Sequence, residues 1–269
     1  MTESPTILDE IRHFAATLTE ITRPIIHQHF RQQPVIRQKQ DKSPVTIADE
    51  SVENTLRRAI MARYPDHSII GEEQAQHHGE AIFTWVIDPI DGTRAFSNGN
   101  PLFGTLIGIL EKGQPKIGVI DLPALEQRWV GQSGKGSWCN HRACSTANTT
   151  QLAEARISTT STTLLGETGL PRFERLAKAC RVVNYGGDCA NYAHLASGWC
   201  DLVVEANLNA YDIMAVVPVI TAAGGTVTQW DGQAIALDGF DGTILAAATT
   251  ELHAAAMDRL NDGQKDRTT

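Results

Sequence analysis

A chain of 269 residues is long enough for one large domain or two closely packed lobes, and 42% hydrophobic against 20% charged residues excludes disorder along its whole length. With 31 acids against 23 Lys and Arg, a formal net charge of -8, it is not built to bind nucleic acid by neutralising phosphates. An enzyme of this charge acting on a phosphate ester needs cations to bridge it to its substrate.

In chain order, Ser4–Phe30 reads as an amphipathic helix. Ser4 can cap it, Pro5 suits its first position, and Ile7, Leu8, Ile11, Phe14, Leu18, Ile21 and Ile25 recur at three- and four-residue steps. Pro24 is expected to kink this helix or to end its first section. A second helix follows Asp41–Asp49, with Val52, Leu56, Ile60 and Tyr64 on one face and Pro65 as its stop. Thr84–Ile87, Gly104–Leu110, Lys116–Asp121 and Gln127–Gly131 read as short strands, with Lys112–Gly113 as a hairpin turn. Beyond about residue 150 strands and helices alternate. Strands are expected at Arg181–Tyr185, Leu202–Glu205, Thr226–Gln229 and Thr243–Ala248, and helices at Cys189–Ser197, Asp212–Ala223 and Thr250–Leu260. The expected organisation is one compact unit of two lobes, 1–150 and 151–269.

Met1–Leu8 carries no basic segment followed by an apolar run, and no apolar stretch is long enough for a membrane span. The five cysteines, Cys139, Cys144, Cys180, Cys189 and Cys200, include no CxxC pair. They support neither a disulfide framework nor a zinc knuckle, and a cytoplasmic protein with reduced thiols is expected.

Four acidic elements carry the chemistry. Asp88-Pro89-Ile90-Asp91-Gly92-Thr93 follows the apolar Trp85–Ile87. Its two carboxylates, three residues apart around a stiffening Pro, can share hard cations, and the backbone amides where Thr93 opens a helix can cradle a phosphate. Glu72 and Glu73 follow Gly71 at the end of an apolar run, where adjacent like charges need a partner or a metal unless the loop is solvated. Asp41, Thr46 and Asp49 form a third element, in which Thr46 and Asp49 also make a capping-box-like pair. Asp212, in Tyr211–Ala215 ahead of Ala223-Gly224-Gly225, falls at a helix start, where an acid is also an ordinary cap.

The joint occurrence of these elements, in this order, resembles the inositol monophosphatase superfamily of magnesium-dependent phosphatases. The resemblance implies a layered αβαβα sandwich of α/β (α+β) class and a homodimer. It also implies a first metal ion on Glu72, Asp88 and the Ile90 carbonyl, and a second on Asp88, Asp91 and Asp212. A third, weaker Mg2+ would lean on Glu72 through water. Thr93, oriented by Asp49, and Glu72 would position the attacking water, and the amides of Gly92 and Thr93 would hold the phosphate.

Within the superfamily, several features look like the histidinol-phosphate phosphatase branch: Arg94-Ala95-Phe96, Tyr211, Pro101–Gly108, Tyr185–Cys189 and Asp201–Glu205. There Glu205, with Asp188 and Asn191, would contact the alcohol part of the ester. Glu205 suits an ammonium or imidazole as well as it suits inositol hydroxyls. An inositol or broad sugar-phosphate phosphatase shares the same chemistry. A catalytically silent, metal-binding relative is the rival of another class, and the presence of Thr93 with all four acids speaks against it.

Overall fold

The computed structural model describes residues 6–32, 37–38, 44–45 and 47–262. Ser4, Pro5, Asp41 and Thr46 lie outside the described residues. The first helix, α1 (Ile7–His29), is capped by Thr6, whose hydroxyl accepts from the Asp9 amide while the Asp9 carboxylate accepts from the Thr6 amide. This reciprocal pair satisfies two otherwise orphaned donors. Pro24 does not end the first section of α1, which runs on through it to His29. A two-stranded pair, β1 (Arg37–Gln38) and β2 (Pro44–Val45), leads to α2 (Ile47–Arg63).

A seven-stranded sheet follows in the order β3 to β9: β3 (Ser68–Gly71), β4 (Phe83–Asp91), β5 (Gly104–Glu111), β6 (Gln114–Leu122), β7 (Gln127–Gln132), β8 (Gly136–Cys139) and β9 (Arg142–Cys144). The short α3 (Thr93–Ser97) sits between β4 and β5. Lys112 and Gly113 both take positive φ and close the two-residue hairpin between β5 and β6, as their chemistry predicts. The second sheet has five strands in the order β11-β10-β12-β14-β13. Its elements in chain order are β10 (Arg156–Thr159), α4 (Gly166–Ala177), β11 (Val182–Tyr185), α5 (Cys189–Ala196), β12 (Leu202–Glu205), α6 (Ala210–Ile213), α7 (Val216–Ala222), β13 (Thr226–Thr228), β14 (Ile244–Ala247) and α8 (Thr250–Asn261). The helix expected over Asp212–Ala223 is two helices, because the α6 pattern breaks at Met214–Ala215 before α7 begins.

Three apolar clusters stack these elements into five layers. One joins α1 and α2 to one face of the first sheet through Ile11, Leu56, Trp85, Ile87 and Phe103. The second lies between the sheets around α5 and α7 and contains Val86, Leu106, Trp129, Tyr192, Val219 and Ala246. The third joins the outer face of the second sheet to α4 and α8 through Phe173, Leu176, Leu202 and Leu252. This is the αβαβα sandwich that the resemblance implies. Because the middle cluster draws on both sheets, they share a core. Among the described residues no helix is long and apolar enough to cross a membrane.

Two devices dock helices on the two faces of the first sheet. Gly108, Gly118 and Gly131 pair with one another across β5, β6 and β7, making a side-chain-free track over the first sheet. The start of α7 lies in this track: a Cβ on Gly118 would stand 1.8 Å from the Ala215 carbonyl oxygen, and one on Gly131 2.5 Å from the Val219 Cα. On the other face, Arg23 of α1 donates twice to the fully buried Asp121 of β6, at 2.6 and 3.0 Å.

Candidate metal and phosphate site

The site begins with a parity problem. Residues three apart on a regular strand point to opposite faces. β4 pairs Asp88 with Leu106 but Asp91 with Gly104, so it carries one extra residue there, a β-bulge. The bulge turns Asp91 onto the same side as Asp88. Pro89, which has no amide to donate, tolerates the break, and its carbonyl is satisfied by the Thr105 hydroxyl at 2.8 Å. Asp88 and Asp91 then face the middle layer, where α6 supplies Asp212. An oxygen from each of Asp88, Asp91 and Asp212 lies within 4.8 Å of one from each of the others.

Backbone amides orient two of the three acids. The Cys189 amide, at the start of α5, donates to Asp91 Oδ2 at 2.6 Å. The Asn209 amide donates to Asp212 Oδ2 at 2.6 Å, and the Asn209 side chain accepts from the Asp212 amide, a capping box that fixes the α6 start. Among the described residues, none of the three acids forms an ion pair. Asp88 is 1% exposed, and its Oδ1 is buried with no hydrogen-bond partner.

The electrostatic consequence is a site short of positive charge. Burial first, then the charges of Glu72, Asp91 and Asp212, push Asp88 well above the ordinary carboxylate range. Burial and the charges of Asp188 and Asp212 do the same to Asp91, against the hydrogen bond from Cys189. Burial, opposed by the Asn209 amide, raises Asp212 to about 7. An orphaned buried carboxylate oxygen amid converging acids, all of them hard oxygen donors, fits a divalent cation of the magnesium type. Glu72 stands outside this tight trio but close enough to raise both Asp88 and Asp212.

The other end of the site is formed by α3. Gly92 takes φ +82 at the helix cap, a left-handed conformation natural to Gly. The Thr93 hydroxyl donates to the Ile90 carbonyl at 3.2 Å, and Asp49 Oδ1 lies at 3.5 Å. Asp49, in the first turn of α2, is fully buried.

One cavity of about 440 Å3 is lined by Glu72, Gly92 and Thr93 and also by Thr160, Gly187 and Asp188. Asp188 packs against Gly92, where a Cβ would meet its carboxyl carbon at 3.0 Å. Burial and the neighbouring Glu205 raise Asp188 to about 6, opposed by Arg94. Glu205 itself does not line the cavity. It is 5% exposed and accepts from the Thr160 amide at 2.8 Å, the Thr160 hydroxyl at 2.5 Å and the Tyr192 hydroxyl at 2.5 Å. Burial nonetheless raises it above the usual range. Asn191 is 5% exposed, with its amide donating to the Gly186 carbonyl.

The structure therefore puts Glu72, Gly92, Thr93 and Asp188 on one cavity, with the cluster of Asp88, Asp91 and Asp212 near Glu72 and the buried Asp49 beside Thr93, while Glu205 and Asn191 are buried and hydrogen-bonded next to Thr160 and Gly186 of its lining. Sequence reading missed Cys189, Asn209, Thr105 and Thr160. The first three act through a backbone amide, a cap or a backbone carbonyl, and no side-chain motif announces them.

The model of the Inositol monophosphatase family matches residues 7–265. The chain is 40% identical, over 96% of its length and 78% of the relative's, to "Bifunctional phosphatase IMPL2, chloroplastic" of Arabidopsis thaliana. It is 34% identical to "Histidinol-phosphatase" of Mycobacterium tuberculosis, covering 84% of this chain and 87% of that one. A solved inositol monophosphatase from Zymomonas mobilis superposes with a TM-score of 0.87 at 35% identity, covering 96% of this chain and 100% of that one.

Proposed function

The chain belongs to the inositol monophosphatase family, a family of phosphatases, and from that premise we propose that it hydrolyses histidinol phosphate to histidinol and phosphate. The observation that carries the choice of ester is Asp188. A single cavity joins the phosphate end at Gly92 and Thr93 to this carboxyl, whose ionised form burial and Glu205 disfavour. Such an acid gains most from a cationic ligand, which relieves both effects through charge-assisted hydrogen bonds. Histidinol phosphate brings an ammonium and an imidazole, whereas inositol phosphate offers only hydroxyls. Similarity to a protein named histidinol-phosphatase supports the same reading.

Glu72, Asp88 and the Ile90 carbonyl are the residues to hold one magnesium ion, and Asp88, Asp91 and Asp212 a second, with a third on Glu72. Bound there, the ions would neutralise acids and ester alike and stabilise charge on the entering and leaving oxygens. The chain's own part is placement. The Gly92 and Thr93 amides hold the phosphate, while the Thr93 hydroxyl and Glu72 orient the water for attack on phosphorus. Asp49 keeps the Thr93 hydroxyl in place. As the ester P–O bond breaks, the alkoxide leaves toward Asp188 and takes up a proton from water, balanced by the proton that the attacking water gives up.

Phosphate release with magnesium, comparing histidinol phosphate, inositol 1-phosphate and an aryl phosphate, tests this, with EDTA as control. Histidinol phosphate is expected to give the highest kcat/KM. Asp188→Asn is expected to lower that value at least about tenfold, the loss of one charge-assisted contact, and to leave the aryl ester nearly unchanged. A preference for inositol 1-phosphate, or equal losses on both esters, overturns the substrate assignment.

A further inference from the structure

We infer that Glu53, held by Arg57, is the positioning residue for Glu72, an inference that rests on the phosphatase reading above. Both residues lie one turn apart on α2 and are buried, Glu53 at 0% and Arg57 at 7% exposure. Arg57 Nε donates to Glu53 Oε1 at 2.7 Å. The rest of the Glu53 carboxylate faces the turn that follows Glu72. Its Oε2 accepts from the Glu73 amide at 2.8 Å and its Oε1 from the Gln74 amide at 3.1 Å. Arg57 Nη2 donates to the Gln74 carbonyl at 3.2 Å, closing the ring. On the other side of Glu72, the chain passes so close that a Cβ on Gly71 would stand 2.4 Å from Glu53 Oε1. One buried carboxylate thus holds the two amides immediately after Glu72 and packs against Gly71 immediately before it.

Stability alone does not account for this arrangement. A buried ion pair returns little net free energy, because desolvating both charges offsets their attraction, and packed apolar side chains would dock the turn on α2 as well. Apolar packing cannot hold two successive amides and so fix the direction in which the intervening chain presents its side chain. The stripe extends one turn toward the start of α2, where Asp49 meets the Thr93 hydroxyl. Asp49, Glu53 and Arg57 recur at four-residue steps and share one helix face. That face serves both groups that orient the water, Thr93 through Asp49 and Glu72 through Glu53.

The test is a double-mutant cycle read in magnesium affinity by calorimetry and in kcat at saturating magnesium, on the full chain. Glu53→Gln presents an NH2 group to one of the two amides. It is expected to weaken magnesium binding about ten- to hundredfold, the range for partners that hold a ligand in place, with circular dichroism unchanged. Gly71→Ala keeps every charge and pushes the same carboxylate aside, so it is expected to act in the same direction. It carries the cycle if Glu53→Gln does not fold. Adding either substitution to Glu72→Gln is expected to cost little more affinity than Glu72→Gln alone, since both act through one side chain. Unchanged affinity in both single variants, or losses that add in full, overturns the inference. A wild-type chain that binds magnesium and hydrolyses no phosphomonoester defeats the phosphatase reading instead, while the affinity cycle still decides the role of Glu53. A wild-type chain that binds no magnesium overturns both.

Discussion

Asp88, Asp91 and Asp212 are held together against their mutual repulsion, and burial and neighbouring charges raise all three carboxyls above the ordinary range. In the metal-free protein, removing one of these charges relieves strain while removing a ligand. Asp91→Asn retains an oxygen to accept from the Cys189 amide. It is therefore expected to raise the melting temperature of the metal-free protein while lowering turnover by more than about a hundredfold, beyond what losing a partner behind a ligand costs. Thermal unfolding in EDTA beside a phosphate-release assay checks both halves, and a variant with wild-type turnover removes Asp91 from the site. At this scale the sequence was most informative: Asp88, Asp91, Gly92 and Thr93 lie in one local string whose chemistry is carried by residue type. Glu205 reads as a pocket residue from its neighbours in sequence. Only the folded chain reveals that Thr160, which lines the cavity, and the buried Tyr192 both donate to its carboxylate, because those contacts join distant parts of the chain.

Elements were legible where pattern and turn chemistry are local. The Lys112–Gly113 hairpin and the strands around it follow from such signals, as do Leu202–Glu205 and the last helix. The short β8 and β9 are too brief to show a period, and α4 is amphipathic but carries Gly169 and Pro171 inside it; none of the three was anticipated. The β4 bulge is equally silent in sequence, since the extra residue exists only relative to the register of β5. The glycine track is an element-scale device, and its alanine variants test it. Gly118→Ala puts a methyl into the Ala215 carbonyl, so α7 must retreat. The expected loss is about 1–3 kcal/mol, the usual cost of overpacking, read from the urea midpoint. Magnesium affinity is expected to fall with it, because α6 and Asp212 move with the start of α7. Wild-type stability in this variant would mean that α7 does not rest on the track.

For the whole molecule, the acid cluster links pH, metal and stability. Asp88, Asp91 and Asp212 titrate above their unfolded value of 3.8, so the folded metal-free chain binds their protons more tightly than the unfolded chain does. Their favourable contribution is fully present below about pH 4 and is lost as pH rises through the folded values, about 7 for Asp212. On the function proposed above, magnesium would compete with the same protons. The melting-temperature shift it causes is therefore expected to grow by several degrees between pH 5.5 and pH 8. His67, His194 and His253 have values depressed by burial and act in the opposite sense, lowering stability as pH falls. They act with and without the ion, so the shift cancels them, and an equal shift at both pH values would separate the ion from the carboxylates.

The glycine track also has a consequence for the order in which the chain assembles. Asp91 ends a strand of the first sheet, while Asp212 arrives on a helix more than a hundred residues later and is aligned only once α7 has settled over Gly108, Gly118 and Gly131. A nascent chain holding only the first sheet carries half a binding site, and a collapsed intermediate with α7 unseated carries the acids without their convergence. A cation bound by these acids, as proposed above, would thus recognise a finished chain and give no help to an unfinished one. Its stabilisation belongs to interactions made after the folding transition state, so it lengthens the lifetime of the native protein and leaves the speed of folding almost untouched.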